Sequence, residues 1–575
     1  MFACDFETRN EDPASVWHWG IMEIQDTNNW LWGTDIESFM EHISKMNTTL
    51  YFHNLRFDGM FIVSYLLKNG FTHNKERKTI KGTFKTLISR MNQWYSIEIC
   101  FEDKRSNRRI VKIYDSLKKI PSTVERIAKD YGLPLSKGEI DYDKHRPIGY
   151  EPTQEEIEYL YADLYIMARA LDMQFKKNLT KMTIGSDCLM HYKETLHPDP
   201  KEAQKKYRKL FPILSEKVDT WLRENGAYRG GWTYPKPEYT EKDIGKGIIM
   251  DVNSEYPYVM RHKMLPYGVP LYYKGKYKPT KSYPLYVQKI RCAFEIKENH
   301  LPTVQIKGSL HFKRNEYLTS SDDLVVPLTM SNVDLELFFK HYDVTDLEFV
   351  EGFMFKGTHG LYDKYIDKYV QLKIDSSAGG KNPNPTDRTI SKLLLNNLYG
   401  KTGSNPDVTG KYPELDEDGV VRMKYEEEQK TDPEYLPTAI FTTSYARELI
   451  ITHAQNNFDR FIYCDTDSIH LIGTDIPDNL KPHIDPDKLG YLKLETTYDR
   501  ARYLYQKTYI YETTDKNGNK HVEVVGAGMT DNVKKNLNFD NFYGGTTVGG
   551  LVKGKTVNGG VMLTDGEFTI KRPNI

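Results

Sequence analysis

Two groups of acidic residues in this chain have the types and spacing for metal chemistry. In "FIYCDTDSIHLIG" (461–473), two apolar stretches enclose Asp465 and Asp467. Read as an extended segment, it points residues two apart to the same side. Carboxylates that close resist ionising together. Divalent cations held by hard oxygen ligands would relieve the repulsion. An isolated Asp-x-Asp is more often a solvated turn, so the rest of the chain has to decide. A third aspartate, Asp251, ends the apolar strand of "KGIIMDVNSEYP" (246–257). Asp251 and Asp467 could bridge two magnesium ions, with Asp465 beside them. Such a pair of ions activates an attacking hydroxyl and clamps a triphosphate for in-line displacement.

The second group lies in the first third of the chain. "FACDFET" alternates as a strand and puts Asp5 and Glu7 on one face. "YFHNLRFDGMFIVSYLL" (51–67) starts as a strand and continues as an amphipathic helix from about Asp58. "TQEEIEYLYADLYIMARAL" (153–171) opens with a capping box, Thr153 with Glu156. Its Tyr159 and Asp163 share a helix face. Each acid alone suits a surface, but four acids beside a same-face tyrosine can bind two metals that activate water against a phosphodiester. Tyr159 would orient that water, and Lys137 in "SKGEIDYDK" would stabilise developing negative charge.

The elements that serve the first group carry cations. In "TDRTISKLLLNNLYGK" (386–401), Arg388, Lys392, Asn396 and Tyr399 fall on one helix face, and Gly400 is a C-cap candidate. Beside three aspartates that stripe suits a triphosphate and a templating base. Tyr256, five residues after Asp251, is placed to pack under an incoming sugar. "QKTYI" (506–510) and "TTSYAR" (442–447) add Lys507, Tyr509 and Arg447 as contacts to a primer strand.

At 575 residues several domains are expected. With 39% hydrophobic and 28% charged residues the chain reads as soluble, and no run approaches the ~18 apolar residues of a membrane span. "MFACDFETRN" offers no secretory signal. Five scattered cysteines in no zinc spacing suggest a reducing compartment. A net charge of −1 argues against a general basic coating, so phosphate contacts must be local. The 41 tyrosines could stack unpaired bases, although core packing accounts for most.

In order, D-F-E-T, N-x-x-x-D and Y-x-x-x-D resemble the DEDD-type 3′–5′ exonuclease domain of proofreading polymerases. D-x-x-S-x-Y-P, K-x-x-x-N-x-x-Y-G, T-x-x-A-R, D-T-D-S and K-x-Y resemble family B DNA polymerase motifs. "YRGG" (228–231) between them is similar to the linker of protein-primed members, and with the short length it points to the phi29-like bacteriophage polymerases. The resemblance runs from Asp5 to "FTIK" (568–571).

It implies an α+β multidomain fold: an RNase-H-like exonuclease domain plus a right-hand polymerase of palm, fingers and thumb, with two family-specific insertions. The expected boundaries are exonuclease 1–183, first palm part 184–262, first insertion 263–360, fingers 361–403, second insertion 404–435, second palm part 436–526 and thumb 527–575. Asp5, Glu7, Asp58 and Asp163 would be ligands of the first centre, and Asp251, Asp467 and Val252 of the second. Thr8, Tyr51, His53, Asn54, Phe57, Phe61, Ser116 and Leu117 match positions that hold a frayed 3′ end. Tyr228, Arg229, Gly230 and Gly231 would follow the primer path. Val252, Tyr256, Arg388, Lys392, Asn396 and Tyr399 would meet the nucleotide. The cofactor would be magnesium, with manganese as a substitute. The partners would be template-primer DNA, deoxynucleoside triphosphates, a terminal protein whose hydroxyl primes synthesis, and a single-stranded-DNA-binding protein. A monomer in the cytoplasm of an infected bacterium is the expected setting.

The first insertion, which contains "LPTVQIKGSLHF", would dock the terminal protein, and the second would encircle DNA. Residues 414–434 of the second hold nine acids against Arg422, Lys424 and Lys430, so phosphate attraction cannot be its main role. Its "LDEDGVV" is an Asp-Gly hairpin signal. The sequence departs from the family pattern at Asn397, where serine is usual, and at Arg388, which replaces a common lysine and changes the hydrogen-bond geometry. Asp5 also lies only four residues from Met1, so the first catalytic strand lacks the family's usual leader. Two alternatives stay open: a nucleic-acid-primed family B polymerase, and a metal-dependent nuclease that leaves 246–257, 386–401 and 461–473 unexplained. A DNA-binding scaffold with degenerate sites has no need to bear the repulsion of seven acids on two centres.

Overall fold

A computed structural model describes residues 1–74, 80–141, 144–305 and 316–572. Residues 142–143 of "SKGEIDYDK" and 306–312 of "LPTVQIKGSLHF" lie outside the described residues. The molecule is a mixed α+β assembly built around two sheets that each carry one group of acids.

The first sheet has eight strands. Trp30–Gly33, Ser15–Glu23, Phe2–Arg9, Thr48–Phe52 and Arg109–Asp115 lie side by side in that order. Phe2–Arg9 pairs antiparallel with Ser15–Glu23 and parallel with Thr48–Phe52, which is parallel to Arg109–Asp115. This is the RNase-H-like arrangement expected. Strand alternation divides Phe2–Arg9 between two cores. Cys4 and Phe6 face the helix Leu55–Lys68 with Leu50, Phe52 and Leu66, while Ala3 joins Leu160 and Leu164 of the helix Gln154–Lys176. That second helix lies so close that a Cβ on Gly20 would sit 2.5 Å from the Leu164 side chain. Asp5 and Glu7 share the parity of Ala3, so they face the helix that carries Asp163. The capping box at Thr153 is present, with the Thr153 hydroxyl accepting from the Glu156 N–H and the Glu156 carboxylate from the Thr153 N–H. The helix Leu55–Lys68 begins three residues before Asp58, the start expected from sequence, because Asn54 turns the chain at φ 69° and Asp58 falls inside the first turn.

The second sheet is antiparallel: Leu492–Tyr498, Gly247–Val252, Ser468–Ile472, Phe461–Asp465 and Thr233–Pro235. The long helices Asp363–Asp375, Pro385–Thr402 and Leu436–Gln455 contribute to one large core with Gln154–Lys176. The helix Pro385–Thr402 runs through Gly400, which therefore does not cap it; the residue at the C-cap is Gly403.

A four-stranded sheet (Leu265–Lys274, Tyr342–Thr358, Leu285–Ile296, Val326–Ser331) with the helix Asn332–His341 fills most of the first expected insertion. Lys411–Leu415 and Val421–Tyr425 form the hairpin signalled by "LDEDGVV", with Gly419 at φ 75° in its turn. A last hairpin, Thr547–Val557 with Gly560–Thr569, reaches back to meet it: the Asn558 side chain donates to the Asp418 carbonyl at 3.0 Å. The same hairpin touches the first sheet's domain, since the Ala14 N–H donates to the Asn558 carbonyl at 2.8 Å and Lys68 donates to the Asn558 side chain.

Candidate active site

The first acidic group is assembled from both faces of the first sheet. Glu7, Asp58, Asp163 and Tyr159 are buried, and Asp5 is half-buried. Burial, then repulsion from Asp163, pushes the Asp5 carboxyl up to about 7. Glu7 and Asp58 are raised by burial and by their acidic neighbours, Asp5 first among them. Asp163 is raised by burial, against the pull of Lys137. Its Oδ2 accepts from Lys137 Nζ at 3.0 Å, while its Oδ1 is buried without a partner. Lys137 Nζ also lies 5.6 Å from the centre of the Tyr159 ring. Four buried or half-buried acids, three of them raised by acidic neighbours, and an Asp163 oxygen without a partner among the described residues form a donor set suited to divalent cations. Among the described residues no three acidic, histidine or cysteine side chains converge as a preformed cage. Magnesium characteristically completes its shell with water and substrate oxygens.

The residues expected around a frayed 3′ end divide into two sets. Thr8, His53, Asn54, Phe57 and Leu117 reach the surface wholly or in part. The His53 ring meets Ser116 Oγ at 3.0 Å and the Ser122 carbonyl at 2.7 Å. Tyr51, Phe61 and Ser116 are buried, which corrects the expectation of direct strand contact. Tyr51 packs on Tyr114 and Phe175, Phe61 closes against Gly560, and Ser116 donates to the Phe52 carbonyl. These three support the residues above them.

At the second group, Asp465 and Asp467 do not share one extended strand. The strand ends at Asp465, Thr466 turns at φ 65°, and the next strand starts at Ser468, so Asp-Thr-Asp is a hairpin turn. The turn is fixed by its neighbours. The Thr466 N–H donates to the Trp232 carbonyl at 2.8 Å, and the Val252 N–H to the Asp467 carbonyl at 2.7 Å. The second bond ties the Asp251–Val252 strand end to the turn. Burial, then Asp467, pushes Asp251 up to about 7; burial raises Asp467 to about 6. Asp465 is held differently, accepting from Thr233 Oγ1 at 3.2 Å and pairing with Lys507 Nζ at 3.1 Å. Two raised aspartates on adjoining strands, tied by the Val252 N–H to the Asp467 carbonyl, suit cations that also bind substrate phosphate.

Arg388, Lys392 and Asn396 are exposed in one stripe, and Tyr399 is half-buried, its ring centre 4.0 Å from that of Tyr256. Asn397 donates to the Leu393 carbonyl. Lys373, which sequence reasoning missed, donates to Asn253 Oδ1 at 2.9 Å and Ser254 Oγ at 3.1 Å. Burial, then Lys392, lowers its ammonium to about 8. A lysine on the helix Asp363–Asp375 carries no local signal of this role, because its partners lie over a hundred residues earlier.

Arg447 is a correction. It is buried, and its guanidinium is committed to Asp334 (2.6 and 3.0 Å) and to the carbonyls of Arg229 and Gly230 (2.9 and 2.7 Å). A primer phosphate cannot reach it. It shapes the Tyr228–Gly231 segment, whose Gly231 packs against Thr466 so closely that a Cβ would lie 2.6 Å from the threonine methyl. Tyr509 is half-buried, tilted against Tyr463 at 5.1 Å and stacked with Tyr503 at 5.3 Å, while Lys507 stays exposed.

Two separate acidic centres, one flanked by a cationic helix and a tyrosine pair, suit metal-dependent chemistry on nucleotides. Residues 40–486 match the family "DNA polymerase type B, organellar and viral", and the chain belongs to it. It is 46% identical to the DNA polymerase of Bacillus phage phi29, covering 99% of each chain, and equally so to that of Bacillus phage M2. Identity to the DNA polymerase of Streptococcus phage Cp-1 is 34%, over 99% of this chain and 98% of the other. The fold superposes on phi29 DNA polymerase complexed with primer-template DNA and incoming nucleotides at a TM-score of 0.92, with 44% identity over 99% of this chain and 100% of that one. The enzyme is a phi29-type phage DNA polymerase with a family B fold of exonuclease, palm, fingers and thumb.

Proposed function

We propose that the chain is a replicative polymerase that starts on a terminal-protein hydroxyl, elongates with strand displacement and proofreads its product. The observation that carries this reading is the hydrogen bond from the Val252 N–H to the Asp467 carbonyl, which sets Asp251 and Asp467 on adjoining strand ends beside Lys373, Arg388 and Lys392. When bound at Asp251, Asp467 and the Val252 carbonyl, magnesium supplies charge that activates the primer hydroxyl and neutralises the departing pyrophosphate. Manganese can take its place.

The chain's own groups do the rest. Arg388 and Lys392 draw the triphosphate to the helix Pro385–Thr402, and Asn396 borders the templating base. Tyr256, braced by Tyr399, packs under the sugar and excludes a 2′-hydroxyl. Lys507 neutralises Asp465 and stands by the primer strand with Tyr509. A mispaired end passes to Asp5, Glu7, Asp58 and Asp163, where Tyr159 orients water and Lys137 offsets negative charge. Residues 1–183 form the exonuclease domain, 184–262 and 436–526 the palm, 361–403 the fingers and 527–575 the thumb. The insertion at 263–360 docks the terminal protein. The insertion at 404–435 acts as a barrier that DNA passes beneath: its hairpin meets the thumb hairpin, and Arg422 and Lys424 are spent on Asp416 and Glu414. Its partners are template-primer DNA, deoxynucleoside triphosphates, the terminal protein and a single-stranded-DNA-binding protein, inside the infected cell and with the polymerase as a monomer. No described helix is long and apolar enough to cross a membrane.

Separating the two activities tests the assignment. Asp251→Ala or Asp467→Ala should abolish primer extension and leave single-strand degradation intact. Asp5→Ala with Glu7→Ala should do the reverse. Extension that survives Asp251→Ala overturns the second centre, and degradation that survives the double variant overturns the first.

A further inference from the structure

The strand that ends at Asp251 and Val252 turns at Ser254, φ 50°, into the helix Glu255–His262. Glu255, the first residue of that helix, is 3% exposed, and neither of its carboxylate oxygens has a hydrogen-bond partner among the described residues. A buried carboxylate without donors is costly, and an apolar residue of similar size would pack there at lower cost. The motif D-x-x-S-x-Y-P leaves this position free, so the resemblance gives Glu255 no role.

Its surroundings do. The charged groups acting on it are Asp467, Asp251 and Arg447. Burial, then the two aspartates, pushes the Glu255 carboxyl well above the ordinary range, and Arg447, which favours its charge, is shared with Asp334. Glu255 in turn acts on Cys464, Tyr256 and Tyr399, so it stands among the strand before the Asp-Thr-Asp turn and the tyrosine pair. Positive charge arriving at Asp251 and Asp467 would remove the opposition of the two aspartates and favour its ionised form. In a low-dielectric interior such a charge acts over several ångströms without direct contact and is little screened by salt.

We propose that Glu255 is a positioning residue of the polymerising centre: a buried, unpartnered carboxyl that cations at Asp251 and Asp467 favour in its ionised form, and that thereby strengthens their binding without itself being a ligand. The inference rests on reading that aspartate pair as the metal centre. It explains why an expensive side chain occupies a core position, since stability is given up for cation affinity.

The test is direct manganese titration of the full chain by electron paramagnetic resonance, in an Asp5→Asn, Glu7→Gln background that weakens binding at the other centre. Glu255→Gln and Glu255→Leu should each weaken manganese binding by about threefold to tenfold, the reach of one buried charge. Glu255→Leu should also raise the melting temperature in EDTA, a gain that a merely structural glutamate would not combine with weaker metal binding. If both variants bind manganese as the background does while Asp251→Asn binds it more weakly, the role of Glu255 is overturned and the metal centre stands. If Asp251→Asn also binds unchanged, both readings fall.

Discussion

At the scale of single residues, the acids proposed to bind cations are held in a state that opposes metal-free folding at neutral and higher pH. Asp5 and Asp251 are raised to about 7 and Asp467 to about 6, each above the 3.8 of an unperturbed aspartate. A folded-state value above the unfolded one means the folded chain holds more protons. Its contribution to stability is complete below about pH 4 and is lost as pH rises through 6 to 7. Cations need the deprotonated form, so they restore what high pH removes. The gain in melting temperature on replacing EDTA with magnesium should therefore be larger at pH 8 than at pH 6. Scanning calorimetry at the two pH values checks this, and an equal gain at both would contradict the coupling of these carboxylates to metal. The same scale shows what sequence could reveal. Asp5, Glu7, Asp58, Asp163, Asp251 and Asp467 were legible because carboxylates at strand and helix spacings carry their own chemical signal. Arg447 was misread because its type suits a phosphate equally well; only burial beside Asp334 distinguishes a brace from a contact.

Among elements, helices were the most readable. The capping box at Thr153 and the 4-4-3 stripe from Arg388 to Tyr399 follow from local periodicity, which tertiary contacts leave intact. Turns were less so. Asp-Thr-Asp looks extended by alternation, yet Thr466 adopts a positive φ because the Trp232 and Val252 backbones fix the turn from distant strands. The helix Leu436–Gln455 connects these scales, since its Arg447 joins Asp334 of the helix Asn332–His341 to the backbone of Arg229 and Gly230. Burial alone would raise the Asp334 carboxyl, but Arg447 outweighs it and holds it low. Removing one partner of such a pair leaves an uncompensated charge. Arg447→Met should cost about 3–5 kcal/mol locally and should speed amide exchange at residues 228–231. Adding Asp334→Leu should recover part of the loss. Unchanged exchange in Arg447→Met would show that the segment is held by other means.

Over the whole molecule, three distant parts of the chain close on one another. The hairpin tip at Asp418 meets Asn558 of the last hairpin, which in turn touches Ala14 and Lys68 of the first domain. No local pattern announces this closure, because its contacts, among them Val421, Val557 and Val561 packed into the first domain's core, join residues far apart in the chain. Under the proposed function, such a closure would surround the product and suit long synthesis without a separate clamp. The sheet of the first insertion adds a surface that neither centre uses, which the docking of a priming protein would explain. The most direct measurement is to incubate the purified chain with magnesium, one labelled deoxynucleoside triphosphate and the candidate terminal protein, with no DNA primer. Label covalently attached to that protein is the predicted result, and it should vanish with Asp467→Ala. Extension of DNA primers alone, with the terminal protein left unlabelled, would contradict protein priming.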